Sequence, residues 1–287
     1  MNGLIVILPG GIWSDSKRYQ EVEVYALTGY DQEVLKGAYK VQSQAEWTTF
    51  LLTNCIKRIG PFNVITPELV KSLTLGDREA LLLHIRRMTF GDKLNCVIDC
   101  TNEDCECKIG LDLKLSDLLL PSYQKAQEQY QKTITHKGVK YKVDFRLPTG
   151  LDQEEIAGIA KEDPEGASDR LIKACILKID QNGGKCATQI PSSVYDEVFN
   201  RIDQLDPQAE IGFKLKCPEC NREFNTILDA GIYFRNELQY NINELYNEIH
   251  FLAYHYHWSE HEIMAMSIGK RRLYCDMLLS AISEEVM

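Results

Sequence analysis

The stretch "LKCPECNREF" (Leu215–Phe224) constrains this chain more than any other. Cys217 and Cys220, three positions apart with a proline between them, form half of a tetrahedral metal site. Half a site is of no use until another segment supplies the remaining ligands. The other close-set cysteines lie far upstream, in "CVIDCTNEDCECKIGLDLKLSDLLLP": Cys96, Cys100, Cys105 and Cys107. Both clusters share one local context. Each is entered from a strand candidate, "LNCVIDC" or "IGFKLKC", and left through an alternating stretch, "KIGLDLKL" or "EFNTIL". An apolar residue stands four positions beyond Cys105 and Cys220, at Ile109 and Phe224. The pattern is strand, knuckle, strand, twice. Two such hairpins face to face place four thiolates around one ion. That is a zinc ribbon with Cys100, Cys105, Cys217 and Cys220 as ligands and no open position, hence a structural zinc. Cys107 is an alternative to Cys100 or Cys105, and unmetallated thiols are the plain competing reading. Redox chemistry fits poorly, because the Cys217–Cys220 pair follows a strand without opening a helix. Cys55, Cys175 and Cys275 occupy apolar helical patterns and read as core residues, and Cys186 takes no role.

Composition narrows the class. At 44% hydrophobic and 26% charged residues the chain is an ordinary globular sequence, with no apolar run near the ~18 residues of a membrane span. No basic segment precedes the short apolar run of "MNGLIVILPGG", so no signal peptide is expected and the cytoplasm is the expected compartment. The formal net charge of -10 argues against a nucleic-acid surface, which needs a basic excess. The one dense basic cluster is "GKRR" at Gly269–Arg272.

Local patterns predict an α+β fold in three regions. Residues 1–92 form a mixed N-terminal region. It opens with the strand "LIVIL", a turn at Pro9–Gly11 and a second strand, "EVEVYAL". Helices follow over "DQEVLKGAY", started by Thr28 or Asp31, and over "SQAEWTTFLLTNCIKRIG", ending at Gly60. Thr66 caps "ITPELVKSL" with Pro67 at its first position, and Gly91 stops "TLGDREALLLHIRRMTFGD", whose Leu81, Leu82, Ile85 and Met88 share a face. Residues 93–230 hold the ribbon, with an insertion at 111–212. There "KTITHKGVKYKVDFRL" is a hairpin turning at His136–Gly138, and "LDQEEIAGIA" is a helix capped by Asp152 with Glu155 as reciprocal partner. "KEDPEGAS" reads as a loop, "DRLIKACILKI" and "SSVYDEVFNRIDQL" as helices. Residues 231–287 are helical, with a stripe of Leu238, Ile242, Leu245, Ile249 and Leu252, a restart capped by Ser259 with Glu262, and a last helix capped by Ser267.

Other residues tempt more than they signify. His250, His255, His257 and His261 lack the i, i+4 pair with an adjacent Glu that hydrolytic zinc sites use, so aromatic and polar packing is the preferred reading. His84, inside a helix, reads as a packed or surface side chain. "LPGG" lacks the ending of a phosphate loop, and no carboxylate pairs with a nucleophile. The chain is therefore expected not to be an enzyme and to take no small-molecule substrate.

"LTLGDREALLLHIRRMTFGDKLNCVIDC" (Leu73–Cys100) resembles a segment of the T-even phage baseplate hub family. The likeness continues in order, as in longer relatives associated with contractile tail-like injection systems. The Cys knuckle leads into "LDLKLSDLLLP", then come "RLPTG", "LDPQAEI", the second knuckle and "EIHFLAYHYHWSEHEIMAMSIGKRR". It spans roughly Leu4 to Leu278. The resemblance implies a non-enzymatic baseplate or hub component, or an assembly factor for one, whose partners are other tail proteins. The family's cysteines carry over onto Cys217 and Cys220. The first knuckle departs from the tight spacing, and Cys100 and Cys105 are its assigned ligands. An amphipathic face of the helical tail, with "GKRR", is expected to dock a neighbour. The alternative reading is a zinc-ribbon adaptor for nucleic acid or the transcription machinery, against which the acidic "TNEDCE" counts.

Overall fold

The computed structural model describes residues 3–38, 43–181, 185–186 and 190–286. Tyr39, at the end of the expected first helix, lies outside them, as do the side chains of Cys186 and Ile242. The fold is α+β, with helices packed on small antiparallel sheets.

β1 (Leu4–Ser14) pairs with β2 (Lys17–Val24), and β3 (Ile56–Ile59) adds beyond β2, giving the order β1–β2–β3. The expected turn at Pro9–Gly11 is instead a bulge within β1, where the register shifts between Ile7 and Ile12. The carboxylate of the buried Asp77 accepts the backbone N–H groups of Gly10 and Gly11, both at 2.7 Å, so a tertiary contact replaces the local reversal. The chain turns at Asp15 and Ser16, whose φ values of 50° and 60° suit a two-residue hairpin turn.

α1 (Gly29–Ala38) and α2 (Gln44–Cys55) follow. α2 was expected to reach Gly60, but it ends at Cys55 and Ile56–Ile59 is strand β3. Ile56 and Ile59 are buried against the sheet, where β-branched side chains pack best, and pairing with β2 overrides helical continuation. α3 (Pro67–Lys71) and α4 (Leu75–Phe90) start at Thr66 and Thr74, and Gly91 ends α4 with φ 93°.

The hairpin β4 (Lys93–Asp99)–β5 (Lys108–Lys114) comes next, then the short α5 (Leu115–Leu118). The inserted segment builds its own layer. β6 (Tyr130–His136) and β7 (Val139–Phe145) turn at Lys137–Gly138, both at positive φ. α6 (Gly150–Ile156) is capped by Thr149, not Asp152. Asp152 sits at the third helical position and accepts from the Thr149 N–H and hydroxyl, each at 2.8 Å. α7 (Pro164–Cys175) begins inside the stretch read as a loop. Asp163 accepts from Gly166 N–H, and Pro164 at the first helical position needs no donor. α7 ends at Cys175, and "ILKIDQ" is strand β8 (Ile176–Gln181), paired with β7 and β9 (Lys185–Cys186). α8 (Ser192–Leu205) has the expected bounds, and Val143, Phe145, Val194 and Val198 lie in the core of this layer.

β10 (Ile211–Lys216) and β11 (Glu223–Leu228) form the second hairpin. α9 (Ala230–Tyr256), α10 (Glu260–Met264) and α11 (Ile268–Val286) close the chain, with the expected caps at Ser259 and Ser267. The largest core runs from Val6 and Trp47 through Leu81 and Ile85 to Phe234 and Ile268. Leu94, Leu115 and Leu228, at the feet of both hairpins, belong to it. The stripe of α9 is spent internally: Leu238 joins this core, and Leu245, Ile249 and Leu252 pack with Ile263 and Met264. Those described members of the stripe present no free apolar face. Arg271 of the basic cluster is likewise fully buried, bonded to Glu248 at 2.5 Å and Gln32 at 2.5 Å.

Candidate metal centre

The insertion leaves and returns at one place, and that brings the two hairpins together. Gln208, fully buried, accepts from Leu120 N–H (2.7 Å) with its side-chain oxygen and donates to the Leu118 carbonyl (3.2 Å). Its own N–H donates to the Tyr123 hydroxyl (3.0 Å), which donates to Asp206 (3.0 Å). Asp206 also accepts Gly76 N–H at the start of α4 (2.9 Å). The segment leaving β5 and the one entering β10 are thereby clamped to each other and to the main body.

Each hairpin makes a knuckle at its tip. In the first, Cys100 N–H donates to the Cys107 carbonyl (3.0 Å) and Cys105 N–H to Asn102 (2.9 Å). In the second, Cys217 N–H donates to Arg222 (2.9 Å) and Asn221 N–H to Cys217 (3.0 Å), with Asn221 at φ 59° closing the tight turn. The thiols pair across the hairpins: Cys100 Sγ lies 3.6 Å from Cys220 Sγ, and Cys105 Sγ 3.8 Å from Cys217 Sγ. All four lie within 4.8 Å of one another, an arrangement that can hold a metal ion. These separations are far beyond the ~2.05 Å of a disulfide. Among the described residues this is the one group of three or more His, Cys, Asp or Glu whose ligand atoms converge so closely.

The electrostatics suit a ligand cluster. The backbone N–H of Cys220 first, with that of Glu219, pulls the Cys217 thiol down to about 6. At Cys105 the backbone N–H of Cys107 favours the thiolate. Desolvation and the neighbouring thiols outweigh it and push the group up to about 12. Negative charge accumulates unfavourably here unless a cation balances it. Cys107 is buried and stands outside the quartet. Desolvation, with Cys217 beside it, pushes it up to about 11, and it packs with Cys217 and Phe224 in a small core that Ile98, Ile109 and Leu215 complete. The apolar residues expected four positions after each knuckle are therefore the floor of the site.

Other sequence candidates do not join this cluster. Cys55 and Cys175 are core residues, and Cys275 packs beside Tyr274 on α11. His261 meets the Tyr30 hydroxyl at 2.6 Å, His250 and His255 pack against Tyr254, and His257 caps α9. His84 Nδ1 is buried without a hydrogen-bond partner among the described residues. Sequence reasoning missed the clamp of Tyr123, Asp206 and Gln208, since polar residues in loops carry no pairing signal.

Comparison with known proteins places these features in a family. A family model described as "T4 bacteriophage base plate protein" matches residues 12–232, a span that contains β2, β3, the insertion and both knuckles. A histidine–tRNA ligase of Campylobacter lari (strain RM2100) is 33% identical over 87 residues, covering 27% of this chain and 21% of the ligase. The chain thus spans about a fifth of that enzyme's length. No solved structure matches. With more than three quarters of its length matched, in agreement with the resemblance of Leu73–Cys100, the chain belongs to the T4 bacteriophage base plate protein family.

Proposed function

We propose that this protein is a non-enzymatic structural component of the baseplate or hub of a contractile, phage-like tail or injection device, and that one zinc ion braces its ribbon. Convergence of four thiols from two hairpins carries the zinc reading. Sulfurs around zinc at ~2.3 Å form a tetrahedron with edges of ~3.8 Å. The cross-hairpin separations of 3.6 and 3.8 Å match two of those edges, and all four sulfurs lie within 4.8 Å of one another. Cys100, Cys105, Cys217 and Cys220 would hold the ion. When bound, it supplies a cross-link between segments far apart in sequence, and four protein ligands leave no position for a reacting water. A tail part must be rigid while it docks several neighbours, and such a cross-link supports that.

Family membership supports other baseplate or tail proteins as partners, met in the cytoplasm of the cell in which tails assemble. The adaptor reading needs a basic rim. Glu103, Asp104, Glu106 and Glu219 instead line the cleft beside Cys105 and Cys220. The stretch shared with the ligase is too small a part of that enzyme to carry aminoacylation here.

The test is deletion of the gene in a tail-producing strain, with particles viewed by electron microscopy. Tails should be absent or lack a functional end, and the wild-type gene should restore them. Normal, firing particles in the deletion strain overturn the baseplate role, and tight, salt-sensitive DNA binding by the purified protein favours the adaptor.

A further inference from the structure

The segment Leu4–Leu8 of β1, "LIVIL", reads the same in both directions. Among the described residues it is an edge strand, with β2 as its one neighbour in the sheet. Val6 and Leu8 are buried, whereas Ile5 and Ile7 are 55% and 49% exposed and Leu4 is 39% exposed. Beyond the ladder to β2, the backbone of Leu4–Ile7 makes no hydrogen bond among the described residues. Attachments begin at Leu8, whose carbonyl accepts from Gln20 (2.8 Å), and continue at Gly10 and Gly11.

A bare apolar edge is a liability that proteins normally blunt with charge, proline or a bulge. Here no charged residue occurs from Leu4 to Ser14, and Pro9 and the bulge come only after the apolar run. We propose that this edge pairs with the same edge of a second copy of the chain, antiparallel, about a twofold axis at Val6.

The palindrome suits that occupant. Pairing about Val6 sets Leu4 opposite Leu8 of the second copy and Ile5 opposite Ile7. Opposed residues in an antiparallel pair share a face, so the exposed isoleucines meet on the outer face and Val6 meets Val6 on the inner one. A slip of one residue would turn buried side chains outward, so the burial pattern selects the register. No charge meets a like charge across the new ladder. The nearest acids, Glu21 and Glu23, lie one strand away, and Lys57 pairs with Glu23 at 2.8 Å. Leu4, Ile5 and Ile7 leave on the order of 300 Å² per protomer, well below the ~800 Å² each partner gives a standard interface. The edge is thus too narrow for a broad domain surface and suits a matching strand whose ladder hydrogen bonds complete the contact. The resulting six-stranded dimer is weak and reversible.

Sedimentation equilibrium of the full chain from roughly 1 to 300 µM tests this. The average mass should rise from 32.9 kDa towards twice that value. The variant Ile5→Lys/Ile7→Lys should stay monomeric, with at least ~tenfold weaker association and an unchanged thermal midpoint, because both side chains are exposed. Mixed Ile5→Cys and Ile7→Cys chains should cross-link on oxidation between those positions, as mapped by mass spectrometry, more readily than either variant alone. A wild-type chain that stays monomeric, a dimer that survives the lysines, or a strand captured from another tail protein in place of self-pairing overturns the proposal.

Discussion

Arg271→Met should release the C-terminal helices. The Arg271 guanidinium joins three elements: it sits on α11, donates through Nε to Glu248 of α9 (2.5 Å), and donates through Nη2 to Gln32 of α1 (2.5 Å). Removing one member of a buried ion pair usually costs ~3–5 kcal/mol, because the other charge stays behind. Glu248 keeps Arg272 at 3.5 Å, which pulls the loss to the low end. Gln32 fares worse. It is fully buried, its Nε2 has no hydrogen-bond partner among the described residues, and its Oε1 loses the donor it has. An orphaned amide adds ~1–3 kcal/mol, so the total is about 4–6 kcal/mol. If that loss falls on local opening of α10 and α11, their amides should exchange on the order of 1000-fold faster or more, at 1.36 kcal/mol per decade. Adding Gln32→Leu should recover about 1 kcal/mol or more as coupling energy. Unchanged protection of α11 in Arg271→Met, or strictly additive single and double variants, would refute the three-helix junction.

Gly150→Ala should destabilise by about 2 kcal/mol or more in thermal melts, because an added Cβ would lie 2.3 Å from Nη1 of the buried Arg78. Asn221→Val should cost about 1–2 kcal/mol, whereas Asn221→Gly should be nearly neutral, since φ 59° suits glycine. Burial first, with Arg87 nearby, lowers His84 to about 4. The unfolded chain therefore binds this proton more readily, and stability should fall as pH drops from about 6.5 through 4. After discounting for solvent screening this is about 2 kcal/mol, and His84→Gln should flatten that slope in urea titrations.

The convergence of the four cysteines was legible because a shared ion would impose such spacing. Cys217 and Cys220, flanked by alternating strands, have few folded uses, and Ile109 and Phe224 marked the floor of the same cluster. The capped starts at Thr66, Ser259 and Ser267 were legible for a similar reason, since the signal lies within one turn. Several of the failures depended on distant partners. The turn expected at Pro9–Gly11 became a bulge because Asp77, far along the chain, takes the glycine N–H groups. Helix ends at Cys55 and Cys175 were overrun because the following residues, apolar in either periodicity, find strand partners that periodicity alone does not reveal. The "GKRR" cluster looked like surface charge, yet Arg271 turns inward to Glu248.

Metal content by mass spectrometry of the chain, purified under reducing conditions without added metal, tests the ribbon most directly. Wild type should carry one zinc per chain, Cys217→Ser almost none, and Cys107→Ser one, because Cys107 lies outside the quartet. Metal-free wild type with the same thermal midpoint before and after chelation, or loss of zinc in Cys107→Ser, would contradict the account.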